Sequence, residues 1–207
     1  MFEEIRGAIF DLDGTILDSL PVWKVLPALY LEQFGIKADP ELPRQVYHLT
    51  FEEGAAFIKK QYSMNLDAEE IKKGILAAAD RQYAEIIPAK KEVLKIIRGF
   101  RERGIPMAVA SSASRLHVET SLKRLGILEW FSGIFCSSEI GKSKSDPSIY
   151  LMAAESIGTA PDETCVFEDA LFAARTAKNA GFKTCGVYDE STVPDWEELS
   201  ALADYTC

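Results

Sequence analysis

Gly7-Ala8-Ile9-Phe10-Asp11-Leu12-Asp13-Gly14-Thr15 is an apolar run closed by two acids and a glycine. The short apolar run from Gly7 has the length and composition of a buried strand, and it ends in acid. In extended chain Asp11 and Asp13 share one face, about 6.5–7 Å apart at Cα, while Leu12 points the other way into a core. Gly14 allows a sharp turn directly after the pair. A calcium loop also carries an Asp-x-Asp-Gly string, but here the glycine falls too early and the twelfth position holds no glutamate. Two carboxylates so spaced suit a division of labour. One attacks an electrophile such as phosphorus, and the other trades a proton with the oxygen on the far side.

Working outward, short apolar runs alternate with longer helical patterns. Residues 105–112 (IPMAVASS), 133–138 (GIFCSS), 164–169 (TCVFED) and 183–188 (KTCGVY) read as further strands, and 203–207 as a final edge strand. Between them, Glu92–Arg103, Arg115–Leu125, Pro147–Ile157 and Ala170–Ala180 read as helices, each stopping at a glycine or one residue before it. Ser114 is placed to cap the second, and Pro147 sits in the first turn of the third. Alternation of this kind predicts an α/β fold, a doubly wound parallel sheet covered by helices on both faces. Residues 17–87 break the pattern. Trp23, Leu26, Tyr30, Leu31 and Phe34 recur at helical spacing, as do Leu66, Ile71, Ile75 and Ala78, with Pro27 set to kink the first helix. The expected domains are therefore an α/β core of residues 1–16 and 88–207, and an inserted helical bundle of residues 17–87. Both connections of that insert reach the C-terminal edge of the sheet, the edge where ligands bind, so the insert is expected to act as a cap.

The same edge gathers the remaining polar candidates. Glu168-Asp169 closes an apolar strand, where adjacent acids are costly unless a cation or donor meets them. Magnesium favours a few carboxylates plus water and phosphate oxygens, and Asp11 and Asp169 can share one ion. Ser111, with the amide of Ser112 after it, is placed to hold a phosphoryl oxygen. Lys144, three residues before Pro147, is preferred over Lys142 as the cation of the loop. Acid pair, serine, lysine and acid pair thus occur in order, each at or just after a strand end.

The 207 residues carry 47% hydrophobic and 27% charged side chains, an ordinary globular balance that excludes intrinsic disorder. A net charge of -9 argues against nucleic acid as a partner and obliges any phosphate site to supply its own positive charge. Cys136, Cys165, Cys185 and Cys207 form no C-x-x-C pair and read as small hydrophobes. The acidic N-terminal stretch has no signal-peptide run, and no segment has the length of a membrane span, so a cytoplasmic chain is expected.

With these residues in order, the chain resembles the haloacid dehalogenase superfamily, in the branch similar to beta-phosphoglucomutase with a helical cap. Asp11, Asp13, Gly14 and Thr15 match its first motif, Ser111 the second, Lys144 the third, and Glu168-Asp169 the fourth. The resemblance implies an Mg2+-dependent phosphatase acting on a small phosphorylated metabolite, a sugar phosphate above others; a monomer with neither nucleic acid nor membrane as partner is expected. It implies Asp11 as nucleophile and Asp13 as acid and base. Ser111, Ser112 and Lys144 would be the phosphate contacts. The metal ligands would be Asp11, Asp13 (through its backbone carbonyl), Asp169 and, in support, Glu168. Ala170 and Ala173 stand where members often carry serine and glycine. A mutase would be expected to carry an arginine in the segment from Tyr47 to Glu52, which holds none. A sugar-phosphate mutase is the enzymatic alternative. A binding module that has lost turnover is the other.

Overall fold

The computed structural model describes residues 2–46, 49 and 51–207, so Tyr47, His48 and Thr50 of the expected cap loop lie outside the described residues. Six strands form one sheet: β1 (Gly7–Phe10), β2 (Met107–Ser111), β3 (Phe131–Cys136), β4 (Thr164–Glu168), β5 (Lys183–Gly186) and β6 (Tyr205–Thr206). Their order is β3-β2-β1-β4-β5-β6, and every pairing is parallel. The direction of winding reverses between β1 and β4, which makes the crevice beyond their C-terminal ends the switch point of the sheet.

Helices follow in chain order: α1 (Leu20–Glu32), α2 (Leu42–Val46), α3 (Phe51–Gln61), α4 (Ala68–Glu85), α5 (Lys91–Glu102), α6 (Arg115–Arg124), α7 (Ser137–Ile140), α8 (Ser148–Ile157), α9 (Leu171–Asn179) and α10 (Val193–Leu202). The two faces of the sheet are covered by different helices, as the period of two along each strand requires. Ile9, Ala108, Ala110 and Val166 pack with Ile149, Tyr150 and Ala153 of α8 and Ala177 of α9. On the opposite face Phe10 stacks on Phe167 with ring centroids 4.4 Å apart, and Phe100 of α5 meets both rings. Helix ends follow local chemistry. Ser114 Oγ accepts the His117 amide at the start of α6. Gly158 ends α8 in the left-handed region at φ 71°, and its N–H donates to the carbonyls of Ala154 and Glu155.

The chain divides into two compact units, residues 1–19 with 88–207, and residues 20–87. The first boundary lies three residues beyond the position read from the sequence, because the connecting segments bond to one another within the α/β unit. Leu17 bridges both Asp13 and Ala89, the Asp18 N–H donates to the Pro88 carbonyl, and the Lys90 N–H donates to the Ile16 carbonyl. The helical unit has its own core, centred on Leu26, Tyr30, Leu31, Ile58, Ile71, Ile75 and Ala79. Its longest helix, α4, opens on a reciprocal capping box between Asp67 and Glu70. α1 continues through Pro27.

Two local expectations change, at Phe34 and Pro147. Phe34 lies beyond the end of α1 and is 49% exposed. Pro147 is the N-cap of α8 rather than a first-turn residue. Ala173 is fully buried inside α9, where it serves helix packing. His117 of α6 is buried. α7 and α10 were not expected, since the first is four residues long and the second is a short amphiphilic run among acids.

Two glycines inside helices test this packing. A Cβ on Gly74 of α4 runs into the Tyr30 ring of α1, 2.9 Å from its Cζ, whereas a Cβ on Gly99 of α5 meets nothing within 4 Å. Gly99→Ala is expected to stabilise by about 0.5–1 kcal/mol through helix propensity. Gly74→Ala is expected to destabilise by about 1–3 kcal/mol through overpacking. Urea denaturation followed by circular dichroism checks both, and equal effects of one sign would contradict the packing described.

Candidate active site

Asp11 follows β1 directly, and Glu168 ends β4. Each stands two residues beyond a side chain in the α8-side core, Ile9 and Val166, so strand alternation turns both carboxylates to that side. There they meet Lys144 from the loop before α8. The Lys144 ammonium donates to Asp11 Oδ1 and, at 2.7 Å, to Glu168 Oε1. Asp169 completes the group. Oxygens of Asp11, Glu168 and Asp169 lie within 4.8 Å of one another, and all three residues are buried. Lys144 itself is only 4% exposed. Lys142, two residues earlier, is instead on the surface, bound to Asp146 Oδ2 and Ser148 Oγ at 3.0 Å each.

Burial sets the electrostatics. It pushes the Glu168 carboxyl up to about 7, against the opposing pull of Lys144 and with help from Asp11. It pushes Asp169 up to about 8, and the charges of Asp11 and Glu168 add to the effect. Burial alone would lower Lys144, but Asp11 and Glu168 outweigh it and hold the ammonium above the ordinary lysine value. If all three carboxyls ionised, they would outnumber the one ammonium by two negative charges in a desolvated pocket. Hard oxygen donors, a net charge of that size and raised carboxyl pKa values fit a divalent cation of the magnesium type.

The other expected residues stand at the same sheet edge. Asp13 lies in the turn after β1, where Gly14 has φ 76°. Its Oδ1 accepts the Ser19 hydroxyl at 2.6 Å, outside the trio of clustered carboxylates. Ser111 ends β2, the strand beside β1; it is fully buried, and its Oγ accepts the Ala113 amide at 3.0 Å. Ser112 is exposed in the loop that follows. No contact of Ser111 or Ser112 with the carboxylate group is observed among the described hydrogen bonds; they share the edge, one strand away.

Several contributors were not read from the sequence. The hydroxyl of Tyr150, a fully buried residue of α8, donates to Glu168 Oε1 at 2.8 Å, beside the Lys144 contact. Thr15 donates to Asp169 Oδ1 at 3.5 Å. Lys90 pairs with buried Asp189 at 2.7 Å, and its charge also acts on Asp169. Tyr150 lies six residues after Lys144, but an aromatic at helical spacing reads as core, and nothing in the string marks its hydroxyl. Chemically, the arrangement offers a buried carboxylate held by an ammonium, a second carboxylate two residues on, and a cluster of carboxylate oxygens that could hold a cation.

Comparison with known proteins gives the family. The family model described as haloacid dehalogenase-like hydrolase matches residues 8–187. A phosphorylated carbohydrates phosphatase from Thermotoga maritima is 24% identical over 179 residues, covering 86% of this chain and 83% of that protein. A fructose-1-phosphate phosphatase from Escherichia coli is 27% identical over 191 residues, covering 90% and 98%. A crystal structure from Thermotoga maritima, provisionally named a beta-phosphoglucomutase, has the same fold, with a TM-score of 0.83 at 24% identity over 98% of this chain and 94% of that one. The chain therefore belongs to the haloacid dehalogenase-like hydrolases.

Proposed function

We propose that this phosphatase hydrolyses the monoester of a small phosphorylated metabolite, a sugar phosphate above others, through a phosphoryl group carried transiently on Asp11. The observation that carries the reading is the buried contact of Lys144 with both Asp11 and Glu168, next to Asp169. It fixes one carboxylate oxygen of Asp11 and leaves the other to act. Relatives that act on phosphorylated carbohydrates and on fructose 1-phosphate support the substrate class.

In the first step an Asp11 oxygen attacks phosphorus in line with the leaving oxygen. The new P–O bond forms as the ester P–O bond breaks, and protonated Asp13 gives its proton to the departing alkoxide. In the second step the Asp13 carboxylate takes a proton from water as that water attacks phosphorus. The bond to Asp11 then breaks, releasing inorganic phosphate and restoring the Asp11 carboxylate and the protonated Asp13. The Ser19 hydroxyl holds Asp13 in place through both steps. Lys144, the Ser111 hydroxyl and the Ser112 amide receive the equatorial oxygens, since phosphoryl transfer depends mostly on positioning and charge. Asp11, Asp169 and the Asp13 carbonyl would hold Mg2+, with Glu168 in support. The bound ion would supply positive charge to the phosphoryl oxygens.

A screen of phosphorylated metabolites with Mg2+ tests the reading. Phosphate release from a sugar phosphate is expected, and Asp11→Asn should lose at least about 1000-fold in kcat. Near-wild-type turnover in that variant would end the assignment. Isomer formation from a hexose 1-phosphate with a bisphosphate primer would make the enzyme a mutase instead.

Tyr150→Phe removes one donor to a buried carboxylate and leaves the packing volume almost unchanged. It should weaken Mg2+ binding by about 10-fold, the scale of an outer partner to a metal ligand, as read by calorimetry. An unchanged affinity would reduce Tyr150 to core filling.

The raised carboxyls also fix a pH dependence. Unfolded Glu and Asp titrate near 4, whereas folded Glu168 and Asp169 hold protons up to about 7 and 8. The folded state binds more protons over that interval, so without metal the stability falls as pH rises from about 4 to 8. Mg2+ should reverse this trend, raising Tm by about 5 °C or more at pH 8.5 and little at pH 5. Asp169→Asn should flatten the metal-free slope, and equal Mg2+ effects at both pH values would contradict the site.

A further inference from the structure

Two of the four cysteines meet. Cys185 is fully buried in β5, and Cys207 lies half-buried just past β6. The Cys185 thiol donates to Cys207 Sγ across 3.7 Å. The backbone of Cys207 is pinned on both sides, its N–H donating to the Gly186 carbonyl at 3.0 Å and its carbonyl accepting the Tyr188 N–H at 2.8 Å. The parallel register, Cys185 opposite Tyr205, turns both thiols to one face of the sheet. A half-buried cysteine therefore has its sulfur against that of a fully buried one. Cys136 and Cys165 are both buried and supply internal controls.

We propose that Cys185 and Cys207 form a thiol oxidation site that takes a hydroperoxide as its oxidant and closes to a disulfide. Cys207 attacks one peroxide oxygen. The O–O bond breaks, the second oxygen leaves as hydroxide and becomes water (an alcohol from an organic hydroperoxide), and Cys207 becomes a sulfenic acid. Cys185 sulfur then attacks the Cys207 sulfur. The S–S bond forms, the S–O bond breaks, and the hydroxyl leaves as water with the Cys185 proton. Two thiols are oxidised and one hydroperoxide is reduced. The roles follow from access and from the direction of the hydrogen bond. That bond holds the Cys207 thiol below its ordinary pKa, and together with burial it raises Cys185. β6 is the last strand of the sheet and pairs on one side only, which allows the small approach that a disulfide needs.

Peptide mapping of the wild-type protein after treatment with hydrogen peroxide tests this. Lys183 is the last basic residue, so trypsin leaves both cysteines in one peptide, and cleavage after Glu190 separates them unless they are bonded. The expected result is a loss of two hydrogens from that peptide, two fragments still joined after the second cleavage, and reversal by dithiothreitol. Cys185→Ser should accumulate Cys207 sulfenic acid, trapped by a cyclic 1,3-dione. Cys207→Ser should slow oxidation at Cys185 by about 10-fold or more. Oxidation of Cys136 or Cys165 ahead of this pair, or oxygen added to Cys207 in the wild type without a bond to Cys185, would overturn the proposal. The wild-type map decides even if a serine variant fails to fold.

Discussion

Lys144 stands between Asp11 and Glu168 in a pocket that water barely reaches. Charges are taken out of solvent there only because they are taken out together, with Asp169 and the Tyr150 hydroxyl beside them. The assembly still carries an excess of negative charge, and the raised Glu168 and Asp169 carboxyls register it. Such a site weakens the metal-free fold and suits a cation. The tension between stability and chemistry is concentrated at one rim of the sheet, while the strands beneath are packed on both faces with apolar side chains.

The sheet order makes this convergence possible. β1 and β4 are neighbours, although more than 150 residues separate Asp11 from Glu168 in the sequence. Their parallel register brings the two strand ends level, and the strand order reverses between them, which opens a crevice. β2 adds Ser111 from the other side of β1. The insertion between β1 and β2 leaves and rejoins the α/β unit through segments that bond to each other around Leu17 and Ala89. The turn that carries Asp13 is tied into the same network through Leu17 and Ser19.

The inserted helices solve a separate packing problem. Their core is built from Leu, Ile, Tyr and Ala at helical spacing, and the capping box at Asp67 gives α4 a firm start. The cysteine pair belongs to the α/β unit and shows how an edge strand creates chemistry that composition hides. Four scattered cysteines read as small hydrophobes, yet register puts two of their sulfurs in contact.

Alternation of buried runs with helical patterns was sufficient for the parallel α/β architecture, because period and helix stops are local properties. The Asp11–Thr15 string and the acid pair at 168–169 were legible for the same reason, since strand ends carrying charge are visible one segment at a time. The insert was legible as a break in alternation, but its first boundary moved to residue 19 because bridging between distant connections carries no local mark. Tertiary structure alone decided that Tyr150 is a hydrogen-bond donor rather than core filling, that Ser19 holds Asp13, and that Cys185 meets Cys207. These depend on where side chains from separate elements arrive, and that is set by register and helix packing over long sequence distances. Periodicity states which face a residue takes, and only the folded chain states what faces it.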